Sequence, residues 1–119
     1  VIPSVLSSVE GAELSKWAKQ NISDAYFSGP LALDLILSKK SKVIKGLSDD
    51  PVAGLADGII VPEIVSGNTL FKSMVYMTGA CAGGIVVGGK VPILLTSRAD
   101  SSAARLSSVS LASIWSNAN

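Results

Sequence analysis

Thr96, Ser97 and Arg98, with Asp100 two positions further on, bring together side chains suited to holding an anion. Ser97 followed three residues later by Asp100 fits a capping box, in which side-chain oxygens satisfy amides that a first helical turn leaves unpaired. A helix start of this kind points free N–H groups outward and carries the positive end of the helix dipole. Arg98 adds a full charge on a planar fork that can grip a phosphate or carboxylate through two hydrogen bonds, and the hydroxyls of Thr96 and Ser97 can hold neighbouring oxygens. The pattern therefore describes either an oxyanion site or a plain helix cap.

Positioning these residues requires a strand that ends where they begin. Val91–Leu95 is such a segment, apolar throughout and preceded by the turn Gly88-Gly89-Lys90. The alternation of apolar and polar residues predicts strands at 24–28, 58–62 and 82–87 as well, the second apolar on both faces as in parallel sheets. Helices are predicted between them. The first runs from Val9 to Gln20, capped by Ser8, with Leu14, Trp17 and Ala18 inward. The second, 30–38, follows the Gly29-Pro30 turn and reads as largely buried. Lys39, Lys40, Lys42 and Lys45 read as a solvated loop carrying helix C-terminal charge. A third helix, 69–78, starts after the polar turn Ser66-Gly67-Asn68 and turns Leu70, Met74 and Met77 inward with Lys72 facing away. The last, about 100–115, buries Leu106, Val109 and Leu111 and frays over 116–119.

Strand and helix alternate, which argues for a parallel or mixed sheet covered by helices. In parallel sheets ligands bind beyond the carboxyl ends of the strands. Three of those ends carry small polar turns, at Gly29, at Ser66-Gly67-Asn68 and at Thr96-Ser97-Arg98, so a parallel arrangement would line one crevice with all three.

Bulk properties narrow the function class. Ten basic and nine acidic residues leave a net charge of +1, and aromatic residues are 5% of the chain, so neither the electrostatic footprint nor the stacking platform of a nucleic-acid binder is present. Cys81 is the single cysteine and histidine is absent, which excludes an internal disulfide, a Cys/His zinc site and any His-based triad within the chain, and makes a cytoplasmic setting the default. No apolar run reaches the roughly 18 residues that span a bilayer. The apolar fraction of 48% beside 16% charged residues is high for a small domain and implies a face meant for a partner subunit or for further sequence.

Five blocks in register carry a family resemblance: Gly29-Pro30-Leu31-Ala32-Leu33-Asp34, Pro51-Val52-Ala53-Gly54-Leu55-Ala56-Asp57, Val61-Pro62-Glu63-Ile64-Val65-Ser66-Gly67-Asn68, Gly83-Gly84-Ile85-Val86-Val87-Gly88, and Pro92 through Ser101. Together they resemble the C-terminal part of the phosphate acetyl/butyryltransferase family, most closely its butyryltransferase branch. The resemblance implies an enzyme that moves a short acyl group between coenzyme A and inorganic phosphate by way of an acyl phosphate. It implies a three-layer α/β/α fold like that of isocitrate and isopropylmalate dehydrogenases, of which residues 1–119 would be a single C-terminal portion. Family likeness places Ser97 and Arg98 at the phosphate end of the cleft and matches Gly67-Asn68 to a substrate-binding turn, with Ser66, Thr96 and Gly29 as further substrate-binding candidates.

CoA is a substrate in such enzymes, and no metal or bound cofactor is implied. Acetyl-specific relatives carry an acidic thiol base a few positions after the Ser-Arg pair, where this chain has Ala103-Ala104, which leaves Asp100 as the acidic candidate. Family members are longer and often dimeric, so a homodimer or completion by an N-terminal segment is expected, with the isolated chain inactive. The competing expectation is a non-catalytic ligand-binding or oligomerisation module built on the same fold.

Overall fold

In the computed structural model, which describes residues 1–118, the chain forms five helices and divides into two compact units, Val1–Ile64 and the residues from Val65 onward. In the first unit, α1 spans Leu6–Asn21 and begins three residues before the predicted start. Ser8 is therefore not its cap: the Ser8 hydroxyl accepts from the Ile2 amide at 2.8 Å and ties the lead-in back over the first turn. The inward face agrees with the predicted one at Ala18 and differs at Leu14 and Trp17. Ser15 and Ala18 are buried, whereas Trp17 is 55% exposed and Leu14 is also exposed. The small residues are chosen by close approach: a Cβ at Gly11 would lie 3.4 Å from the Pro30 Cβ, and one at Gly29 would lie 3.4 Å from the Gly11 carbonyl oxygen.

The apolar segment after Pro30 is shorter and less buried than its composition predicts. Helix α2 covers Leu33–Leu37 and buries Leu35 alone. The lysine run is not a loop: Lys39–Ile44 is α3, capped by Ser38, whose hydroxyl accepts from the Ser41 amide at 3.1 Å. That local cap supplies the start signal the lysines themselves lack. Lys45 then reaches back to Asp34 at 2.8 Å and bridges α3 to α2.

Beyond α3 the chain closes on itself around Asp50. One carboxylate oxygen accepts the amides of Val52 (2.9 Å) and Ala53 (2.8 Å), the other accepts the Ser28 hydroxyl, and the Lys42 ammonium donates to the Asp50 carbonyl at 2.6 Å. Gly54 follows with φ of 71° and donates to the Leu35 carbonyl at 2.7 Å. Its position admits no side chain, since a Cβ would stand 2.8 Å from the backbone of Lys39. Ala53 beside it is fully buried.

In the second unit, α4 covers Ile64–Thr78 and starts five residues before the predicted boundary, so Ser66-Gly67-Asn68 lies within the helix instead of preceding it. Gly79, with φ of 70°, turns the chain out of α4. The expected strands at 82–87 and 91–95 meet in one antiparallel bridge, Val86 with Ile93, through amide–carbonyl bonds of 2.9 and 3.0 Å. An antiparallel pair is what the short connection permits: Gly88 takes φ of 100°, and a parallel crossover needs a dozen residues or more. Among the described residues the segments 24–28 and 58–62 have no strand pairing, so the parallel crevice is not formed by these residues alone.

Helix α5 runs Ser102–Ala118 and does not start at Asp100. It turns inward Ala104 and Ser108, one helical turn apart, while Leu106 is 68% exposed and Val109 and Leu111 are exposed too, reversing the predicted face. The reason is again close packing: the Gly83-Gly84 backbone lies directly on α5, 3.1 Å from the Ser107 Cβ at the position a Gly83 Cβ would take. Residues 116–118 are helical; Asn119 lies outside the described residues. Among the described residues no helix is long and apolar enough to cross a membrane.

Candidate functional site

The second unit builds its site where the extended segment after Ile93 runs out. Arg98 and Ala99 form a tight turn closed by the Asp100 amide on the Ser97 carbonyl at 3.1 Å. The Asp100 carboxylate reaches back to the Ser97 amide at 2.6 Å, and the Ser97 hydroxyl accepts from the Ala99 amide at 3.5 Å. Of the Ser–Asp box predicted from spacing only the Asp100 half is present: the Ser97 hydroxyl meets the Ala99 amide and not that of Asp100, and the pairing closes a turn without capping the helix. Helix α5 is capped by Ser101, whose hydroxyl accepts from the Ala104 amide at 3.2 Å.

This division of labour leaves the Ser97 hydroxyl lightly held. A contact of 3.5 Å lies at the outer limit of a useful hydrogen bond, so the hydroxyl can turn to another partner at little cost. Asp100 is fixed by an amide and keeps acceptor capacity on its carboxylate.

Ser97 and Asp100 face a cavity of about 210 Å3. Lys72 of α4 and Ser108 of α5 complete its polar lining, and Phe71, Leu95 and the Gly83-Gly84 backbone supply its apolar and open walls. Lys72 was not among the sequence candidates, because a lone cation on an otherwise apolar helix reads as a solvent-facing residue. The available signal was its place four residues after Asn68, on the same helical face as that candidate. Its ammonium sits 5.2 Å from the Phe71 ring centre and 5.8 Å from that of Tyr76, near enough for both ring faces to hold it.

Ser108 has a different role. It is 4% exposed, its hydroxyl donates to the Ala104 carbonyl at 3.0 Å, and it accepts the Gly84 amide at 3.0 Å. With both capacities used, it fastens the glycine wall to α5 and has no proton to offer a ligand.

The remaining sequence candidates are placed as follows. Arg98 is exposed in the turn beside Ser97 and does not itself line the cavity; Thr96, also exposed, precedes Ser97. Ser66, Gly67 and Asn68 occupy the first turns of α4, upstream of Lys72 on that helix. Gly29 belongs to the first unit, packed on α1, and its role there is close approach. Chemically, the cavity offers one ammonium, one adaptable hydroxyl and one carboxylate, with a guanidinium one residue from the hydroxyl. That set can bind a small anion, polarise an oxygen and accept a proton.

Comparison with known proteins gives this arrangement a context. The chain is 40% identical to the phosphate acetyltransferase of Rhizobium meliloti over 116 residues, 97% of this chain and 36% of that one. It is 40% identical to the phosphate butyryltransferase of Clostridium acetobutylicum over 94% of its own length and 37% of that protein's, and 42% identical to the probable phosphate butyryltransferase of Bacillus subtilis over 94% and 38%. The crystal structure of a branched-chain phosphotransacylase from Enterococcus faecalis V583 superposes with a TM-score of 0.82 at 40% identity, covering 94% of this chain and 40% of that one. The chain therefore spans little more than a third of the length of the relatives it matches, and over that span it has the phosphotransacylase fold. Residues 5–113, which include most of both units, the Ser97–Asp100 turn and every residue lining the cavity, match the phosphate acetyl/butaryl transferase family, and the chain belongs to it.

Proposed function

We propose that the protein carrying this chain transfers a short acyl group, butyryl or similar, between coenzyme A and inorganic phosphate. The observation that carries the reading is the meeting of Ser97, Asp100 and Lys72 around one small cavity, beside Arg98, in a chain of the phosphate acetyl/butaryl transferase family. In one direction the CoA thiolate attacks the carbonyl carbon of the acyl phosphate, the carbon–sulfur bond forms, and the bond to the phosphate oxygen breaks with its electron pair leaving on phosphate. In the other direction a phosphate oxygen attacks the thioester and the thiolate leaves. Negative charge gathers on phosphate and on the carbonyl oxygen in both, so cations and hydrogen-bond donors fixed around them lower the barrier.

In this reading Arg98 grips the phosphate oxygens, Lys72 supplies a second positive charge, and the Ser97 hydroxyl donates to a phosphate or carbonyl oxygen. Asp100 accepts the thiol proton. Asn68, Gly67 and Ser66 hold a further part of the substrate on α4, with Thr96 contributing through its hydroxyl. CoA enters as a substrate, and the reaction calls for no metal or resident cofactor.

The finer architecture belongs to the same proposal. The extended segments 58–62, 82–87 and 91–95 are strands of a three-layer α/β/α fold like that of isocitrate and isopropylmalate dehydrogenases, whose remaining strands and other lobe come from the part of the relatives' length this chain does not span, in a homodimer or in one longer chain. The exposed apolar side chains of α4 and α5 support that reading, since helices apolar on most faces are buried in the finished protein. The substrates and the single unpaired thiol, Cys81, fit a cytoplasmic setting.

The test is direct. The full protein is incubated with butyryl-CoA and phosphate, and release of free thiol is followed; the expected result is thiol release that requires phosphate, with butyryl phosphate as the second product. Thiol release without phosphate, or none, overturns the proposal.

A further inference from the structure

The cavity beside Ser97 and Lys72 has a polar end and an open wall, and the wall is the part to which no role has yet been given. At about 210 Å3 it is too small for the whole of CoA and below the roughly 300–1,000 Å3 of sites for larger ligands. It suits the reacting end of a substrate, an anionic or carbonyl group with a short tail. The cation and hydroxyl that would hold the charged group are Lys72 and Ser97; the surfaces left for the tail are Phe71, Leu95 and the backbone of Gly83 and Gly84.

The two glycines differ in a way that separates packing from pocket. A Cβ at Gly83 would press on Ser107, at 3.1 Å from its Cβ and 3.2 Å from its carbonyl carbon, so Gly83 is tightly packed on α5 and a larger residue there needs Ser107 to give way. Among the described residues, a Cβ at Gly84 would meet no atom within 4 Å. Nor does its backbone demand glycine, as it has no positive φ. Gly84 is held in place by its amide bond to the buried Ser108, so the wall is rigid while the space in front of it is unfilled. Packing thus explains glycine at 83 and leaves glycine at 84 without a structural reason.

We propose that Gly84 sets the length of the acyl chain: its missing side chain leaves the room that the third and fourth carbons of the acyl group occupy, between the glycine wall and the apolar side chains of Phe71 and Leu95. This rests on the acyl-transfer reading of the same cavity. A side chain at 84 then subtracts space from long acyl groups and leaves an acetyl group untouched. Discrimination by one methylene in an apolar pocket is worth roughly ten- to two-hundredfold.

The experiment compares acetyl-CoA with butyryl-CoA, each with phosphate, in the full protein and in its Gly84→Ala and Gly84→Val variants, alongside melting temperatures. Gly84→Val is expected to lower kcat/KM for butyryl-CoA by roughly tenfold or more while changing that for acetyl-CoA by less than about threefold, with Gly84→Ala between. Both variants are expected to melt within a few degrees of the parent, because the amide bond to Ser108 involves only backbone at 84. If the parent is active and the ratio of the two substrates is unchanged in both variants, or both substrates fall equally, the assignment of Gly84 is overturned and the acyl-transfer reading stands. A parent inactive on either thioester overturns both. Should Gly84→Val melt early, Gly84→Ala alone decides by the same ratio.

Discussion

On the proposed function Lys72 and Arg98 hold an anion in different ways, and the difference can be measured. Lys72 has a defined place, its ammonium against two aromatic rings at the edge of the cavity, whereas Arg98 stands exposed in the turn beside Ser97. A preplaced charge acts mainly on binding. Replacing Lys72 by Ala should raise the KM for phosphate roughly ten- to hundredfold, the worth of one charge-assisted hydrogen bond of about 1.5–3 kcal/mol, with a smaller effect on kcat. Lys72→Arg should recover part of that loss, because charge is kept while shape is not. If Arg98 grips the phosphate as proposed, Arg98→Ala should lower kcat as well as raise KM, since the charge that builds on the leaving phosphate loses its partner; steady-state kinetics with varied phosphate separates the two patterns. At this scale the sequence was readable where the signal is local: Ser97 and Asp100 are three residues apart, and their pairing follows from spacing. Lys72 depends on α4 lying beside a turn twenty-five residues later in the chain, information that no spacing rule contains.

Among the elements, the segment around Asp50 is the clearest case of a side chain that organises backbone. Burial alone would push its carboxyl up, but the Ser28 hydroxyl, the amides of Ala53 and Val52 and the charge of Lys19 together outweigh that and hold it below its ordinary value of 3.8. A group depressed in the folded state stabilises fully at pH above its unfolded value, and the contribution is lost as pH falls through the folded one. Acid should therefore loosen the first unit below about pH 4, and Asp50→Asn should flatten that acid limb while lowering the melting temperature at neutral pH. Melting followed across pH 2–7, on parent and variant, checks both. Asp34 is depressed too, chiefly by its bond from Lys45, but it is fully exposed, and its share should fade with added salt.

Gly54 gives a second prediction at this scale. Gly54→Ala should cost at least about 2 kcal/mol, because the new Cβ meets the Lys39 backbone in a conformation that L-residues avoid. The helices were legible except α3, whose lysines read as a loop, and the ends of the others were not. Ser8, Asp100 and Ser66 each offered a credible start, yet Ser101 capped α5, and α1 and α4 began several residues early. Competing polar residues within one turn differ by a few tenths of a kcal/mol as caps, so tertiary contacts choose among them. The antiparallel Val86–Ile93 pair was not foreseen: the strand–helix alternation pointed to a parallel or mixed sheet, although a link as short as Gly88-Gly89-Lys90 permits only an antiparallel pairing.

For the whole molecule, the distribution of apolar surface is the fact that matters. Ile64 and Met77 on α4 are each 82% exposed, and Ile114 and Trp115 on α5 are exposed as well, while apart from Leu35 the buried positions are small: Ser15, Ala18, Ala53, Ala104, Ser108. Small buried residues mark close backbone approach, and large exposed ones mark surface that finds its cover elsewhere. This explains why sequence reasoning placed Leu106, Val109 and Leu111 inward: their pattern is that of a core helix, but the neighbours that would bury them are not among the residues described. The chain matches relatives of which it spans little more than a third, and on the acyl-transfer proposal Arg98 and Lys72 supply charge, and Ser97 a hydroxyl, on one side of a substrate whose CoA portion far exceeds the cavity. Residues 1–119 expressed alone should then show no phosphate-dependent thiol release from butyryl-CoA and should self-associate through the exposed faces of α4 and α5, giving a sedimentation profile broader than a monomer. Adding the rest of the full protein as a separate polypeptide should restore both a defined assembly and activity. A monodisperse, active 119-residue chain would show instead that the cavity beside Ser97 is a complete site, and that the exposed helices serve some other contact.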